Sequence, residues 1–167
     1  LISCFEALKN LTPNYPDIKL LLIGPIDKGD RELFKSYMED PRIREQIIYY
    51  KWKDLSEFPA FARQSAIGLS PLIKNPQHDS GIANKVYQYM LFETPVLVSD
   101  CTPQLELIEE TGAGMVFRNE DVEDLIEKII YLYQHPEERK HMGENGKKAV
   151  LEKYNSVEVG NALNAIY

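Results

Sequence analysis

Ala66-Ile67-Gly68-Leu69-Ser70-Pro71-Leu72, a polar loop from Lys74 to Gly81, Asn84-Lys85-Val86-Tyr87-Gln88-Tyr89-Met90-Leu91-Phe92 and Thr94-Pro95-Val96-Leu97-Val98-Ser99 follow one another in mid-chain. The first and last are short apolar runs punctuated by Pro and Gly, and they read as strands. The third carries apolar residues at helical spacing. A strand, a helix and a strand in that order require a parallel pair, because strands running the same way need a crossover between them.

The same alternation extends outward. On the N-terminal side, Ile2, Phe5, Leu8 and Leu11 have helical spacing, and Thr12-Pro13-Asn14-Tyr15-Pro16 ends that helix as a turn. Ile18-Lys19-Leu20-Leu21-Leu22-Ile23, closed by Gly24-Pro25, has the pattern of a strand buried on both faces. A polar helix from Asp27 to Asp40, a strand Ile47-Ile48-Tyr49-Tyr50 running into Lys51-Trp52-Lys53, and a short helix Ser56 to Arg63 complete this side. On the C-terminal side come a helix Gln104 to Glu110, Gly112-Ala113-Gly114 and a last strand Met115-Val116-Phe117. Helices follow: Val122, Leu125, Ile126, Ile129, Ile130 and Leu132 share one face, Pro136 opens the next helix at a first-turn position, and Ser156 to Ile166 closes the chain. The fold class expected is α/β, a Rossmann-like parallel sheet with helices on both faces and a helical C-terminal region. Such sheets hold ligands at the carboxyl ends of their strands, which directs attention to Gly24, Lys51 to Lys53 and the loop from Lys74 to Gly81.

The chain has 167 residues, enough for one domain that buries roughly 70% of its unfolded surface. Its 44% hydrophobic and 27% charged residues exclude disordered and low-complexity classes. Nineteen basic against 26 acidic residues give a net charge of −7, the wrong sign for non-specific attachment to nucleic acid or an anionic membrane. Cys4 and Cys101 are far apart, with no paired-cysteine motif and no His at ligand spacing, so neither a disulfide framework nor a metal site is expected. No apolar run approaches the roughly 20 residues of a membrane span, and no signal-peptide pattern opens the chain. A cytoplasmic protein is the expectation. Because residue 1 is Leu and already lies in a helix, a fragment of something longer is expected too.

The helix opening at Asn84 carries the candidate chemistry. It is apolar almost all round, so it should be buried, yet Asn84, Lys85 and Gln88 stand at i, i+3 and i+4 spacings along one edge. Lys85 lies near the helix N-terminus, where the free N–H groups already create positive potential. A cation there is unfavourable by roughly 0.3–1 kcal/mol, and an anion would reverse that sign. A phosphate or diphosphate would accept from the N–H groups and pair with Lys85, with Gly81 allowing close approach. The plainer alternative is a surface Lys85 beside Asn84 as a cap residue, and a Gln88 satisfied by a loop carbonyl.

The stretch from Gly68 through Asp100 resembles the C-terminal half of group 1 (family 4-like) glycosyltransferases. Members carry Pro-Asn-Lys, an apolar pair, Glu-Tyr-Met, then Pro-Val and a small-residue strand end. Further similarity lies at Glu6-Ala7-Leu8, Leu20 to Gly24, Gly112-Ala113-Gly114, Asp121 to Leu132, Met142-Gly143-Glu144-Asn145-Gly146 and Tyr154-Asn155. The resemblance implies the GT-B architecture, in which two Rossmann-like domains face across a cleft. Residues 1–167 would then be the nucleotide-sugar-binding C-terminal domain, with its first strand and the N-terminal acceptor domain absent. The implied activity is transfer of a sugar from a nucleoside-diphosphate sugar to an acceptor, with retention, in polysaccharide or glycoconjugate synthesis.

Carried over by position, the resemblance makes Lys85 the catalytic group that contacts the donor diphosphate, with Asn84 shaping the turn. The implied donor-binding set is Gly24, Trp52, Ser80, Gly81, Asn84, Lys85 and Gln88, with no metal and no cofactor beyond the nucleotide-sugar substrate. Gln88 stands where the family has a glutamate that holds the ribose hydroxyls, Ser80 where many members have a second glutamate, and Ala83 where Pro is usual. The expected partners are the nucleotide sugar and the preceding domain of the same parent chain, with no nucleic acid; membrane association would come only through that preceding half. A degenerate, non-catalytic nucleotide- or partner-binding domain is the alternative that Ser80 and Gln88 suggest, and a sugar-nucleotide epimerase of the same architecture is another. For Trp52 a packed side chain competes with a base-pocket role. His78 competes as a solvated residue, and Glu106, Glu109 and Glu110 as a solvated helix face.

Overall fold

The computed structural model describes residues 1–155, so the helix expected over Ser156 to Ile166 lies outside the described residues. The chain divides into two compact units, Leu1–Phe58 and Pro59 onward.

The first unit opens with α1 (Ile2–Leu11), which buries Cys4, Phe5, Ala7, Leu8 and Leu11 and ends where the Thr12 hydroxyl donates to Leu8 O at 2.8 Å. β1 (Leu20–Ile23) follows, then a 3-10 turn and α2 (Arg31–Met38), then β2 (Ile47–Tyr50). β1 and β2 are parallel, with Leu20 opposite Ile47 and Ile23 opposite Tyr50. The expected burial of β1 on both faces is corrected: Leu20 is buried, Leu21 and Leu22 are half-buried, and Ile23 is exposed. Its sheet has two strands among the described residues, too few for a central strand covered all round.

Tyr37 of α2 knits this unit together. Its ring stacks on Phe5 with centroids 4.4 Å apart, and its hydroxyl donates to Glu6 Oε1 at 2.8 Å. Burial, and then the carboxylate beside it, pushes the phenol up to about 12. A raised pKa means that folding favours the neutral phenol: the contribution is whole below the ordinary tyrosine value near 10 and is lost as pH climbs through about 12. The phenols of Tyr87, Tyr89, Tyr131 and Tyr154 are raised as well, so alkaline titration followed at the phenolate absorbance should show several late tyrosines with Tyr37 among them. Tyr37→Phe should shrink the late phase by one phenol; an undiminished late amplitude would show that Tyr37 is not part of it.

The second unit begins within α3 (Phe58–Gln64), whose first residue marks the division. Then come β3 (Gly68–Ser70), α4 (Asn84–Leu91), β4 (Val96–Ser99), α5 (Thr102–Thr111), β5 (Gly114–Phe117), α6 (Val122–Gln134) and α7 (Pro136–Glu152). The three strands are parallel in the order β3-β4-β5. β4, the middle strand, is buried at all four positions, which accounts for its apolar run Val96-Leu97-Val98 before the buried Ser99. Helix ends follow local chemistry: Gly112 closes α5 in the left-handed conformation, Asp121 caps α6 by accepting from Asp124 N at 3.0 Å, and Pro136 sits at the start of α7. Val86 and Met90 of α4 enter a core with Val96, Val98, Leu107, Ile108, Ala113 and Val150. Each such side chain contributes about 1.5–3 kcal/mol on burial, so α4 is held by its underside.

Parallel strands and intervening helices match the expected fold class. Among the described residues the strands form a two-stranded sheet in the first unit and a three-stranded one in the second. Cys4 and Cys101 are buried free thiols.

Candidate functional site

In the second unit each helix that follows a strand starts at the carboxyl end of the sheet. α4 therefore presents its first turn there, at the end of the loop that leaves β3. Ala83 is the residue before that turn, and it has no side chain with which to cap it. Asn84 is not the cap, as the plainer alternative had it; it is the first helical residue, and its side chain is exposed. The edge expected from spacing is present, with Asn84, Lys85 and Gln88 on successive turns and Lys85 and Gln88 half-buried.

Complete burial of this helix is corrected. Val86 and Met90 are buried, whereas the other residues of α4 are half-buried or exposed. Packing holds one side of the helix and leaves the Asn84 edge at the surface. Gln88 has no hydrogen bond from its side chain among the described residues, so satisfaction by a loop carbonyl is corrected as well. Gly81 is extended, at φ −175°, and a Cβ there would meet open space. The fold does not itself demand glycine at this position. Ser80 is exposed and donates to Gln77 O at 2.7 Å.

The loop before α4 is tied down along its length. Leu72 O accepts from the Ser99 hydroxyl at 2.7 Å and from Asn119 Nδ2 at 2.6 Å, binding the loop's start to the ends of β4 and β5. Lys74 Nζ donates to Asp100 O at 3.2 Å. The His78 ring lies through Nδ1 2.6 Å from Ile73 O and 3.0 Å from Asn75 Nδ2. The half-buried His78 is thus a loop-bracing residue rather than a freely solvated one. Asp79 Oδ1 accepts from Thr102 N at 3.0 Å.

A buried polar group lies below. Gln104, fully buried in α5, accepts from the Ser70 hydroxyl at 2.6 Å through Oε1, and its Nε2 donates to Ser99 O at 3.2 Å. It joins the carboxyl ends of β3 and β4 to the start of α5. Sequence reasoning did not find this network. Its signal was a serine at the last position of two successive strands, Ser70 and Ser99. Glu106, Glu109 and Glu110 are exposed, as the solvated-face reading had it.

The remaining candidates lie in the first unit, at one end of its sheet. Gly24 directly follows β1, takes φ +140°, and is held by Gly24 N donating to Tyr50 O and the Tyr49 hydroxyl donating to Gly24 O, both at 3.0 Å. That conformation is one L side chains rarely adopt, which accounts for the glycine. Trp52 lies two residues beyond β2 and is 72% exposed, so the packed alternative is corrected. The candidates thus fall into two sets: Gly24 and Trp52 in the first unit, and Ser80, Gly81, Asn84, Lys85 and Gln88 in the second.

Chemically, the start of α4 can take an anion. Backbone N–H groups of a first turn, a lysine and two side-chain amides suit a phosphate with hydroxyls nearby. Among the described residues no group of His, Cys, Asp and Glu is arranged to hold a metal ion, and no helix is long and apolar enough to cross a membrane.

The family model described as "Glycosyl transferases group 1" matches residues 2–149. The capsular polysaccharide biosynthesis glycosyltransferase CapM of Staphylococcus aureus is 26% identical over 92 residues, covering 55% of this chain and 24% of CapM. The chain thus spans about a quarter of the curated relative it matches. Among solved structures, the C-terminal domain of the glycosyl transferase group 1 family protein LpcC from Francisella tularensis superposes with a TM-score of 0.78 at 20% identity, over 92% of this chain and 78% of that one. HepE of Anabaena, solved with UDP and glucose, superposes with a TM-score of 0.80 at 13% identity, over 99% of this chain and 43% of HepE. Both likenesses concern the fold.

Proposed function

This chain belongs to the group 1 glycosyl transferases, and we propose that it is the donor-binding part of an enzyme that moves a sugar from a nucleoside-diphosphate sugar to an acceptor in polysaccharide or glycoconjugate synthesis. The observation that carries this reading is the start of α4, uncapped by any side chain at Ala83, with Asn84, Lys85 and Gln88 on one edge and open space at Gly81. The diphosphate sits at that first turn. In transfer, the bond between the anomeric carbon and the diphosphate oxygen breaks with its electron pair staying on the diphosphate, the sugar passes through an oxocarbenium-like state, and an acceptor hydroxyl oxygen bonds to the same face of that carbon, which gives retention, while its proton passes to the departing diphosphate. Lys85 and the N–H groups of α4 are in place before charge develops on the leaving group, so they stabilise the transition state without reorganising. In the first unit, the exposed Trp52 offers an aromatic face for stacking. The acceptor and the rest of the machinery belong to a preceding domain of the parent protein, which is cytoplasmic on this reading.

A second reading, a nucleotide-binding domain without chemistry, is favoured by Gln88 in the place of a carboxylate. A neutral acceptor makes hydrogen bonds to ribose hydroxyls roughly half as strong as a charged one makes. Calorimetric titration of uridine and guanosine diphosphates, with inorganic pyrophosphate alongside, tests both readings. Wild-type chain should bind one nucleoside diphosphate more tightly than pyrophosphate. Gln88→Glu should tighten the nucleotide by about fivefold and leave pyrophosphate unchanged. No binding of any diphosphate would overturn the donor site. A preceding domain with acceptor-transfer activity in the parent protein would decide against the non-catalytic reading.

A further inference from the structure

We propose that Asp79 is a positioning residue for the diphosphate end of α4, acting through the first amide of α5; the proposal rests on the donor-site reading above. The loop from β3 to α4 is anchored at Leu72, Lys74 and Ile73, but these ties lie near its beginning. Asp79 Oδ1, accepting from Thr102 N at 3.0 Å across 23 residues of sequence, is the long-range hydrogen bond of the loop nearest to α4, with Ile82 beyond it packed on the core. From there four residues, Ser80 to Ala83, run into the first turn.

The donor end of that bond is in turn fixed. Thr102 opens α5, and Gln104, two residues on, is buried and bonded to Ser70 and to Ser99 O. Force applied at Asp79 is therefore carried to the ends of β3 and β4 rather than to a mobile segment. The bond also answers an electrostatic question. An acidic residue on the approach to a diphosphate has the wrong sign, yet at the N-terminus of α5 a carboxylate is favourable. Its neighbours make this structural use plain: Gln77 O is engaged with Ser80, and the His78 ring with Ile73 O, so each residue of this stretch is braced.

The consequence is a pair of substitutions with opposite results. Asp79→Ala removes the acceptor, and diphosphate binding should weaken by about fivefold, the size that a lost cap bond sets. Asp79→Asn keeps a side-chain oxygen and removes the charge, so pyrophosphate affinity should stay equal or rise. Thr102→Pro deletes the donor from the other side while leaving Asp79 intact; Pro is well tolerated at a first helical position, and Cys101 before it is already extended. Amide hydrogen exchange of the purified chain supplies the second readout. Residues 80–86 should exchange about fivefold faster in Asp79→Ala and in Thr102→Pro, with the amides of β4 unchanged as the measure of an intact fold.

Unaltered exchange over residues 80–86 in Asp79→Ala would overturn the proposal, as would acceleration in Asp79→Ala without acceleration in Thr102→Pro. An Asp79→Asn variant as weak as Asp79→Ala would also overturn it. If wild-type chain binds no diphosphate, the donor-site reading fails, while the exchange arm still decides whether Asp79 positions α4.

Discussion

On the donor-site reading, replacing Lys85 with alanine should weaken binding of the nucleoside diphosphate that wild type prefers, uridine or guanosine, by about 10- to 150-fold, the range expected for one charge-assisted contact of about 1.5–3 kcal/mol. Any binding of the nucleoside alone, which has no phosphate, should stay as it was. The magnitude follows from where the lysine stands. On the first turn of α4 its charge and the helix N-terminus both favour an anion at the same place. A diphosphate there gathers both contributions, and removal of Lys85 leaves only the backbone half. Lys85→Met, which keeps the apolar stem and loses the charge, should fall as far as Lys85→Ala. Stability of the unliganded chain should drop by no more than about 0.5 kcal/mol, because the helix is held from below by Val86 and Met90. Calorimetry for the diphosphate, saturation-transfer NMR for the nucleoside and a urea melt for the fold separate these effects. An unchanged diphosphate affinity in Lys85→Ala would remove the site from α4.

The feature on which that prediction rests was readable from order and spacing. Short apolar runs beside Pro and Gly marked β3 and β4, and helical spacing marked α4, to within a few residues, because a strand buried on both faces is mostly apolar, as Val96, Leu97 and Val98 of β4 are. The i, i+3 and i+4 relation of Asn84, Lys85 and Gln88 is a property of any helix, so it survived intact. Burial was less legible. An apolar hexad reads alike whether one or two neighbours cover it, and β1, in a two-stranded sheet, is exposed at Ile23. The lone tryptophan misled in the same way, since Trp52 stands 72% exposed beyond the end of β2. Least legible of all were contacts across long sequence distances. Nothing local to Asp79 points to Thr102, and nothing around Gln104 points to Ser70, 34 residues away; such pairs exist only once the strands have placed their ends side by side.

Gly143→Ala should destabilise the chain by about 1–3 kcal/mol, against the sign that helix propensity alone predicts. Both glycines of α7, Gly143 and Gly146, lie inside a helix, where alanine is favoured over glycine by about 1 kcal/mol. On an exposed helix both replacements would stabilise. Here α7 packs closely on α4 and on Glu93, two residues past its end: a Cβ at Gly143 would sit 2.2 Å from Glu93 O and 2.8 Å from its carbonyl carbon. Those are backbone atoms, and Glu93 is itself pinned, with φ +60° and its side chain bonded to Lys147 at 2.7 Å. The clash can be relieved only by moving one helix away from the other, which loosens the contact that holds α4 in place. At Gly146 a new Cβ would meet Met90 Cβ and Cγ at 3.2 Å and Ala113 Cβ at 3.3 Å, tight contacts that ask for a shift of a few tenths of an ångström rather than the backbone overlap met at Gly143. Gly146→Ala should therefore fall close to neutral, its packing cost offset by the propensity gain. Urea denaturation of the two variants beside wild type reads the contrast directly. Equal stabilities in Gly143→Ala and Gly146→Ala, or a more stable Gly143→Ala, would show that α7 does not approach α4 as closely as described. Diphosphate affinity, measured well below the transition, should be nearly unchanged in Gly146→Ala and reduced in Gly143→Ala, since the first turn that receives the anion is carried on the helix that must move.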